Sequence, residues 1–381
     1  MSAVAQDEQA RHAVLALEDG SVWHGTAFGA GVEADGEVVF NTGMTGYQEI
    51  CTDASYRGQL VLLTHPQVGN YGVSESAEEA ARPWLSALVI RELAHLPNHW
   101  ESRERLEDYL DRWGVPGIQG LDTRAITRRL RDHGALRAIL RQFGSAVPTE
   151  AQLDALREDV QRVVPLSEKN LVAEVSCHET TVDADERRPH VVLVDYGFKA
   201  NIARSLRRRG ARVTLKGWDA GFEEIVAAQP DGIVLSNGPG DPAELSDAVA
   251  TTRRLFFTEI PIMGICLGHQ IIGQAAGAVT RRLPFGHHGG NHPVKELATG
   301  RVAITSQNHE FQVQAGPALD ESGFDVSHVS LNDGSVEGLA HRTRPIFSVQ
   351  FHPEGCPGPQ DSQPQFDRLF ELIAARKGGE G

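Results

Sequence analysis

Residues 190–217 read HVVLVDYGFKANIARSLRRRGARVTLKG: an apolar run, helical spacing in KANIARSLRRRG, and a second apolar run in ARVTLKG. The alternation continues through EEIVAAQ at 223–229, DGIVLSNG at 231–238, a long helical pattern in AELSDAVATTRRLFF at 243–257, and PIMGIC at 261–266. The strands are short and almost continuously apolar, and their connections are helical. Strands buried on both faces have no polar side to present to water, so the pattern predicts an α/β domain with a mostly parallel sheet covered by helices on both faces. Ligands of such sheets gather at the carboxyl ends of the strands. The unusual residues of this half sit at such ends: Asn237-Gly238-Pro239-Gly240-Asp241-Pro242 after one strand and Cys266 after another.

Upstream the pattern is different. AVLALEDGSVWHGTAF at 13–28 and EVVFNTGM at 37–44 are strand-like, and Asp19-Gly20 is a hairpin signal. LEDYLDRW at 106–113 and TRAITRRLRDHG at 123–134 carry apolar residues at three-to-four spacing, the second ending at Gly134 as helices often do. This half is a mixed α/β domain without regular alternation. Between Val147 and Pro189 the periodicity weakens, and DADERRPH at 183–190 suits an exposed connection. The expected organisation is a first domain over 1–150, a connecting segment over 151–189, and the α/β domain over 190–381.

A chain of 381 residues exceeds a single ordinary core, which agrees with two domains. The 40% hydrophobic and 23% charged content is that of a soluble globular protein. With 51 acidic against 36 basic residues and a net charge of -15, the chain lacks the concentrated basic surface that a nucleic-acid partner requires. The runs Arg207-Arg208-Arg209 and Arg128-Arg129 lie in helical patterns and read as solvated faces. No stretch reaches the ~18 consecutive apolar residues of a membrane span, and the polar start MSAVAQDEQARH has no signal-peptide core, so a cytoplasmic location is expected. Cysteines at 51, 177, 266 and 356 form no CxxC pair, fitting neither a disulfide framework nor a zinc ribbon.

Gly264-Ile265-Cys266-Leu267-Gly268 leaves an apolar strand and opens the helix HQIIGQAAG, the form of a nucleophile elbow with cysteine in place of serine. Such a turn leaves little room for side chains two positions from the nucleophile, which is why small residues flank it. A thiol at a helix N-terminus faces the positive end of the helix dipole, which favours the thiolate. By default a lone cysteine ending an apolar strand is a buried structural residue; the turn argues against that default. A strand at Phe347–Phe351 runs into His352-Pro353-Glu354, where extended residues at i and i+2 project to one side. His352 and Glu354 can then serve Cys266 as base and orienting carboxylate, in the order nucleophile, base, acid.

GICLGHQ at 264–270 together with His352-Pro353-Glu354 resembles the triad-type (class I) glutamine amidotransferases over the whole C-terminal half. The resemblance implies attack by Cys266 on the glutamine side-chain amide, departure of ammonia, and hydrolysis of a glutamyl thioester. Backbone N–H groups of Gly238 and Leu267 would hold the oxyanion. In the first half, Phe40–Glu49 (FNTGMTGYQE), Asp53-Ala54-Ser55-Tyr56 and Gly120-Leu121-Asp122-Thr123-Arg124 resemble the small-subunit family of carbamoyl phosphate synthetase. So does Phe285–Pro293 (FGHHGGNHP). That resemblance implies a glutamine site of Ser55, Gly238, Gly240, Leu267, Gln270, Asn308, Glu310 and Phe311. It also implies a large-subunit partner, contacted by the first domain, that carries ATP and Mg and receives ammonia, in a heterodimer or a higher oligomer of heterodimers.

One position departs from the family pattern. Where Gln-Asn-His-Gly-Phe is usual, this chain has Gln307-Asn308-His309-Glu310-Phe311; if the position contributes only a backbone N–H, Glu310 can replace glycine by pointing outward, whereas an inward Glu310 would repel the substrate carboxylate. No cofactor is expected in the chain, which has no G-x-x-x-x-G-K-[ST] phosphate loop. GAGVEA at 29–34 loosely fits a dinucleotide fingerprint, but a strand follows where a helix is needed. His287, His288 and His292 do not have zinc spacing and read as loop-packing residues, so no metal site is expected. The alternative to a glutaminase is a catalytically silent scaffold or regulatory subunit of the same complex, which would be expected to have lost Cys266, His352 or Glu354. A glutaminase serving the anthranilate or guanylate pathway is disfavoured by the first domain.

Overall fold

The computed structural model describes residues 11–177, 181–183 and 189–378; the polar first ten residues and most of the 183–190 stretch lie outside the described residues. The chain forms two units. One comprises the residues up to Thr52 with Gly58–Glu78 and Arg82–Glu168; the other comprises Lys169 onward with two short earlier segments, Asp53–Arg57 and Glu79–Ala81.

The first unit is built on a closed seven-stranded barrel. Its strands are β1 (His12–Leu17), β2 (Val22–Gly29), β3 (Ala34–Asn41), β4 (Gln59–Leu63), β5 (Ala87–Val89), β6 (Pro116–Gln119) and β7 (Leu136–Gly144). They are ordered β1-β2-β6-β5-β4-β3-β7, and β7 pairs back to β1. Period-two alternation sorts the side chains: Ala13, Leu15 and Leu17 share one core with Val38, Leu60, Leu62 and Ile118. Helix α1 (Thr123–His133) adds Ile126 and Leu130 to that core. As the hairpin signal implied, β1 and β2 pair antiparallel around Gly20 at φ 84°.

Val14, Ala16 and Ile139 project to the other face, where α2 (Glu150–Val160) covers them with Leu153, Leu156 and Val160. Thr149 and Gln152 form a capping box that starts α2. Residues 151–168, taken from the sequence as connection, therefore belong to the first unit. A barrel strand whose outer face is apolar needs a cover, and each buried leucine contributes about 1.5–3 kcal/mol to keeping it there.

The second unit contains a ten-stranded sheet. Its parallel centre is β8 (His190–Asp195), β9 (Arg212–Gly217), β10 (Gly232–Leu235), β11 (Ile262–Ile265) and a later strand, Ile346–Val349. Val191 and Leu193 of β8 face a core shared with α3 (Ala200–Arg208) and with Phe366, Leu369 and Ile373 of the last helix. Val192 and Val194 face the opposite core, which includes Ala248 and Leu255 of α4 (Ser246–Leu255) and Ile271 and Ile272 of α5 (Leu267–Ala275). The sheet is thus covered on both faces.

The chain then adds an antiparallel wing: β12 (Thr280–Glu296), β13 (Val302–Val313), β14 (Phe324–Ser330) and β15 (Val336–His341). β15 pairs with the Ile346–Val349 strand, β16, and joins the wing to the parallel centre. From sequence, His287, His288 and His292 look like loop residues because glycine, asparagine and proline surround them. They instead lie in β12, a strand whose pairing with β13 is interrupted by register shifts at 282–287 and 289–292. Those shifts accommodate Gly286 at φ 68° and Gly289 at φ 146°.

Candidate active site

Cys266 follows β11 and caps α5 with φ 53° and ψ −103°, a conformation that costs a non-glycine residue energy and persists only when its surroundings enforce it. The flanking glycines show the enforcement. A methyl on Gly264 would lie 2.7 Å from the Gly268 carbonyl oxygen, and one on Gly268 only 2.2 Å from that of Leu235. The Cys266 N–H donates to Val349 O at 2.9 Å, tying the turn to β16. The thiol is buried at 2% exposure, with its sulfur 3.5 Å from Asn308 O.

β16 runs on into His352, whose N–H donates to Ser306 O at 2.9 Å. The ring donates from Nδ1 to Glu354 Oε1 at 2.6 Å, which leaves Nε2 as the free ring atom. Nε2 is buried and makes no conventional hydrogen bond. Burial lowers the ring's affinity for a proton, but the Glu354 carboxylate and, after it, Cys266 more than reverse this and raise its pKa to about 10. Cys266 therefore lies within electrostatic reach of the ring, and the imidazolium is the stable form at neutral pH.

Lys199, which nothing in the sequence marked, completes this arrangement. Its Nζ is 3.1 Å from Glu354 Oε1, with the two side chains 2% and 0% exposed. It also donates to Gly355 O. Burial resists a charge on Glu354, yet Lys199 and then His352 hold its carboxyl at about 2. Burial likewise opposes the Lys199 ammonium, and Glu354, Asp53 and Glu79 outweigh it to raise the lysine pKa. The lysine follows a strand and opens α3, and lysines there are usually solvated; here the side chain is only 2% exposed. By contrast, burial pushes the Cys51 thiol up and carries the Cys177 thiol to about 12.

Of the residues expected at the glutamine site, Asn308 reaches the Cys266 sulfur through its carbonyl oxygen. A methyl on Gly238 would lie 3.0 Å from Leu267 Cδ2 and 2.2 Å from Tyr196 O, so Gly238 packs beside the Leu267 side chain and its position must be glycine. Gly240, at φ 89°, belongs to the same loop. Asn237 Nδ2 donates to Ser55 Oγ at 2.9 Å and so ties Ser55 to that loop. Asp53 accepts from the Ser55 N–H and from Asn308 Nδ2, both at 2.9 Å, which links Ser55 to β13. Gln270, in the first turns of α5, donates to Phe311 O at 2.9 Å. Asn237 and Asp53, which lie in the motifs quoted from the sequence but carry no assigned role there, are the polar ties that hold these segments together.

Glu310 points neither into solvent nor unpaired toward a substrate. It takes an ion pair from Arg282 at 3.0 Å and lies 3.1 Å from His288 Nε2, while His288 Nδ1 sits 3.0 Å from Asn308 Oδ1. Burial raises the Glu310 pKa, but His288 and then Arg282 outweigh it and keep the carboxylate ionised. The charge that replaces the usual glycine is therefore neutralised locally and bonded, through His288, to Asn308.

A family model described as carbamoyl-phosphate synthase small chain, CPSase domain, matches residues 15–140, and one for class-I glutamine amidotransferases matches residues 192–372. The carbamoyl phosphate synthase small chain of Symbiobacterium thermophilum is 48% identical over 94% of this chain and 97% of its own length. The chain belongs to the carbamoyl phosphate synthase small-chain family. The pyrimidine-specific small chain of Bacillus subtilis is 44% identical, covering 96% of this chain and 97% of its own. Among solved structures, a glutamine amidotransferase from Thermotoga maritima is matched over 50% of this chain and 84% of its own, at 16% identity and a TM-score of 0.35, too distant to add to the assignment.

As a carbamoyl phosphate synthase small chain it is an enzyme subunit with a class-I glutamine amidotransferase domain. Family membership also implies a large-subunit partner. Among the described residues no helix is long and apolar enough to cross a membrane.

Proposed function

We propose that this chain hydrolyses L-glutamine to glutamate and ammonia through a thioester on Cys266 and passes the ammonia to the large synthetase subunit. The observation that supports this most is the buried line of charge running Lys199, Glu354, His352, Cys266, in which the imidazole is held protonated against the thiol.

The steps follow from those charges. The Cys266 thiolate adds to the amide carbon, and the oxygen takes the negative charge. N–H groups of Gly238 and Leu267 receive that oxyanion, each donor being worth roughly 3 kcal/mol. The His352 imidazolium gives its Nε2 proton to the nitrogen as the C–N bond breaks, and ammonia leaves. Neutral His352 then takes a proton from water, which attacks the thioester; collapse releases glutamate and restores thiolate and imidazolium. Glu354 keeps the ring in the tautomer that presents Nε2, and Lys199 keeps Glu354 ionised.

The glutamine pocket would comprise Ser55, Gly240, Gln270, Asn308, Glu310 and Phe311 beside the oxyanion donors. ATP and Mg chemistry would belong to the large subunit, which the first unit would contact in a cytoplasmic heterodimer. The complete triad weighs against a silent scaffold. The test is glutamate release from glutamine by the purified chain, alone and with a large subunit, beside Cys266→Ser. Wild-type release no faster than that of the serine variant in the presence of the partner refutes the proposal.

A further inference from the structure

The antiparallel wing carries a polar cluster that the reaction does not use. Successive side chains of β13 alternate between faces. Asn308 and Glu310 share the face that meets His288. Gln307 and His309 occupy the other, where they meet His287 from β12 and Glu337 from β15. His287, His309 and Glu337 are all buried, and one donor atom from each lies within 4.8 Å of the others.

The outer atoms of the three side chains are already engaged. His287 Nε2 is 2.8 Å from the Asp333 carboxylate, and His309 Nδ1 is 2.8 Å from Phe311 O. Gln307 Nε2 donates to Glu337 Oε2 at 2.8 Å. Carboxylate and carbonyl oxygens only accept, so each ring carries a proton on its outer nitrogen and, in its neutral form, turns a lone pair inward. Neither inner nitrogen, His287 Nδ1 or His309 Nε2, has a hydrogen-bond partner. The inner Glu337 oxygen receives a long contact from Ser335 Oγ at 3.4 Å and faces His287 Nδ1 at 3.6 Å. Three electron-pair donors thus converge in a buried space, where mutual repulsion and desolvation both call for a cation.

We propose that His287, His309 and Glu337 form a site for a divalent transition-metal cation of the zinc type, with a structural role. Two imidazoles and one carboxylate suit zinc, whereas calcium and magnesium take oxygen donors. Tetrahedral bonds of roughly 2.0–2.1 Å place neighbouring donors about 3.4 Å apart; the His287 to Glu337 distance of 3.6 Å nearly meets this already, and all three donor atoms lie within 4.8 Å of one another. Asp333, Phe311 O and Gln307 supply the outer hydrogen bonds that orient metal ligands. A proton shared between His287 and Glu337 is the competing arrangement, but it leaves His309 Nε2 unsatisfied. The histidine spacing in 287–292 gives no hint of the site, because two of its three ligands come from β13 and β15.

The test uses the full chain in a Cys266→Ser background, which removes the reactive thiol as a rival ligand. The protein is stripped with a chelator, loaded with Zn²⁺ or Co²⁺, desalted, and assayed for bound metal by elemental mass spectrometry and for its melting temperature. One metal per chain and a rise in melting temperature on loading are expected. Glu337→Gln and His309→Gln should lose at least about 100-fold in metal affinity, and Asp333→Asn, at a side chain 40% exposed, about 10–100-fold. A folded parent chain that retains no stoichiometric metal overturns the proposal whatever the variants do. Retention unchanged in Glu337→Gln and Asp333→Asn overturns it as well.

Discussion

Replacing Lys199 by methionine removes a buried positive charge while keeping a flexible apolar chain of similar length. At 3.1 Å from Glu354, the ammonium contributes a Coulomb attraction of about 5 kcal/mol at an effective dielectric of about 20. Breaking one side of a buried pair costs about 3–5 kcal/mol in practice. In the wild-type site the cations Lys199 and His352 both pair with Glu354. Without Lys199 the site carries one positive charge fewer, so its groups hold their protons to a higher pH. The acid limb of kcat/KM therefore moves upward. If only about half of a 3 kcal/mol loss falls on the active protonation state, glutamine turnover at neutral pH drops roughly tenfold, and the full loss corresponds to about a hundredfold. The glutamine KM should change little, because Lys199 is enclosed by Glu354 and Gly355. The assay is glutamate release as a function of pH, with Cys266 alkylation by iodoacetamide read in parallel. A variant with wild-type kcat/KM and an unmoved pH profile, even one of lower melting temperature, would show that the lysine serves only the packing.

Glu310→Gly should raise the glutamine KM several-fold with kcat nearly unchanged, because it removes the partner of Arg282 and His288 and loosens Asn308. A lower KM would mean that the carboxylate repels substrate after all. Gly268→Ala should cost about 1–3 kcal/mol of stability or more, since its methyl meets Leu235 O at 2.2 Å; thermal unfolding measures it, and an unchanged melting temperature contradicts the packing at the elbow. Stability should also depend on pH through the triad. His352, raised from 6.5 to about 10, contributes stability fully present below about 6.5 and lost as pH rises through about 10. Glu354, lowered from 4.5 to about 2, contributes stability present above about 4.5 and lost as pH falls through about 2. Unfolding of His352→Gln should lack the alkaline loss, and a curve parallel to wild type over that range rules the linkage out.

Much of this protein is written in local pattern. Apolar runs alternating with helical spacing specify the parallel centre of the sheet, because a strand buried on both faces has to be apolar throughout. Glycines at 264 and 268 announce the elbow because only they fit beside Gly268 O and Leu235 O. His352 and Glu354 meet within a local turn, closed by the Gly355 N–H on His352 O, rather than by the strand alternation expected, and that contact needs no long-range information. Residues 151–168 were harder to place, since a short amphipathic helix such as α2 looks like a linker until the barrel face that it covers is known.

Other features depend on the path of the chain through space. Lys199 and Glu354 lie far apart in sequence, and the charge on each is tolerable only because the fold buries both together. From the sequence Glu310 could point out of the pocket or into it; the structure pairs it instead with Arg282 and His288, brought from β12. His287, His309 and Glu337 come from three strands and share no motif. Backbone propensity and side-chain period act over a few residues, so they reveal the elements and the nucleophile. Electrostatic balance acts over a few ångströms in any direction, so which charges complete the active site could be read only after the strands and loops had been brought together.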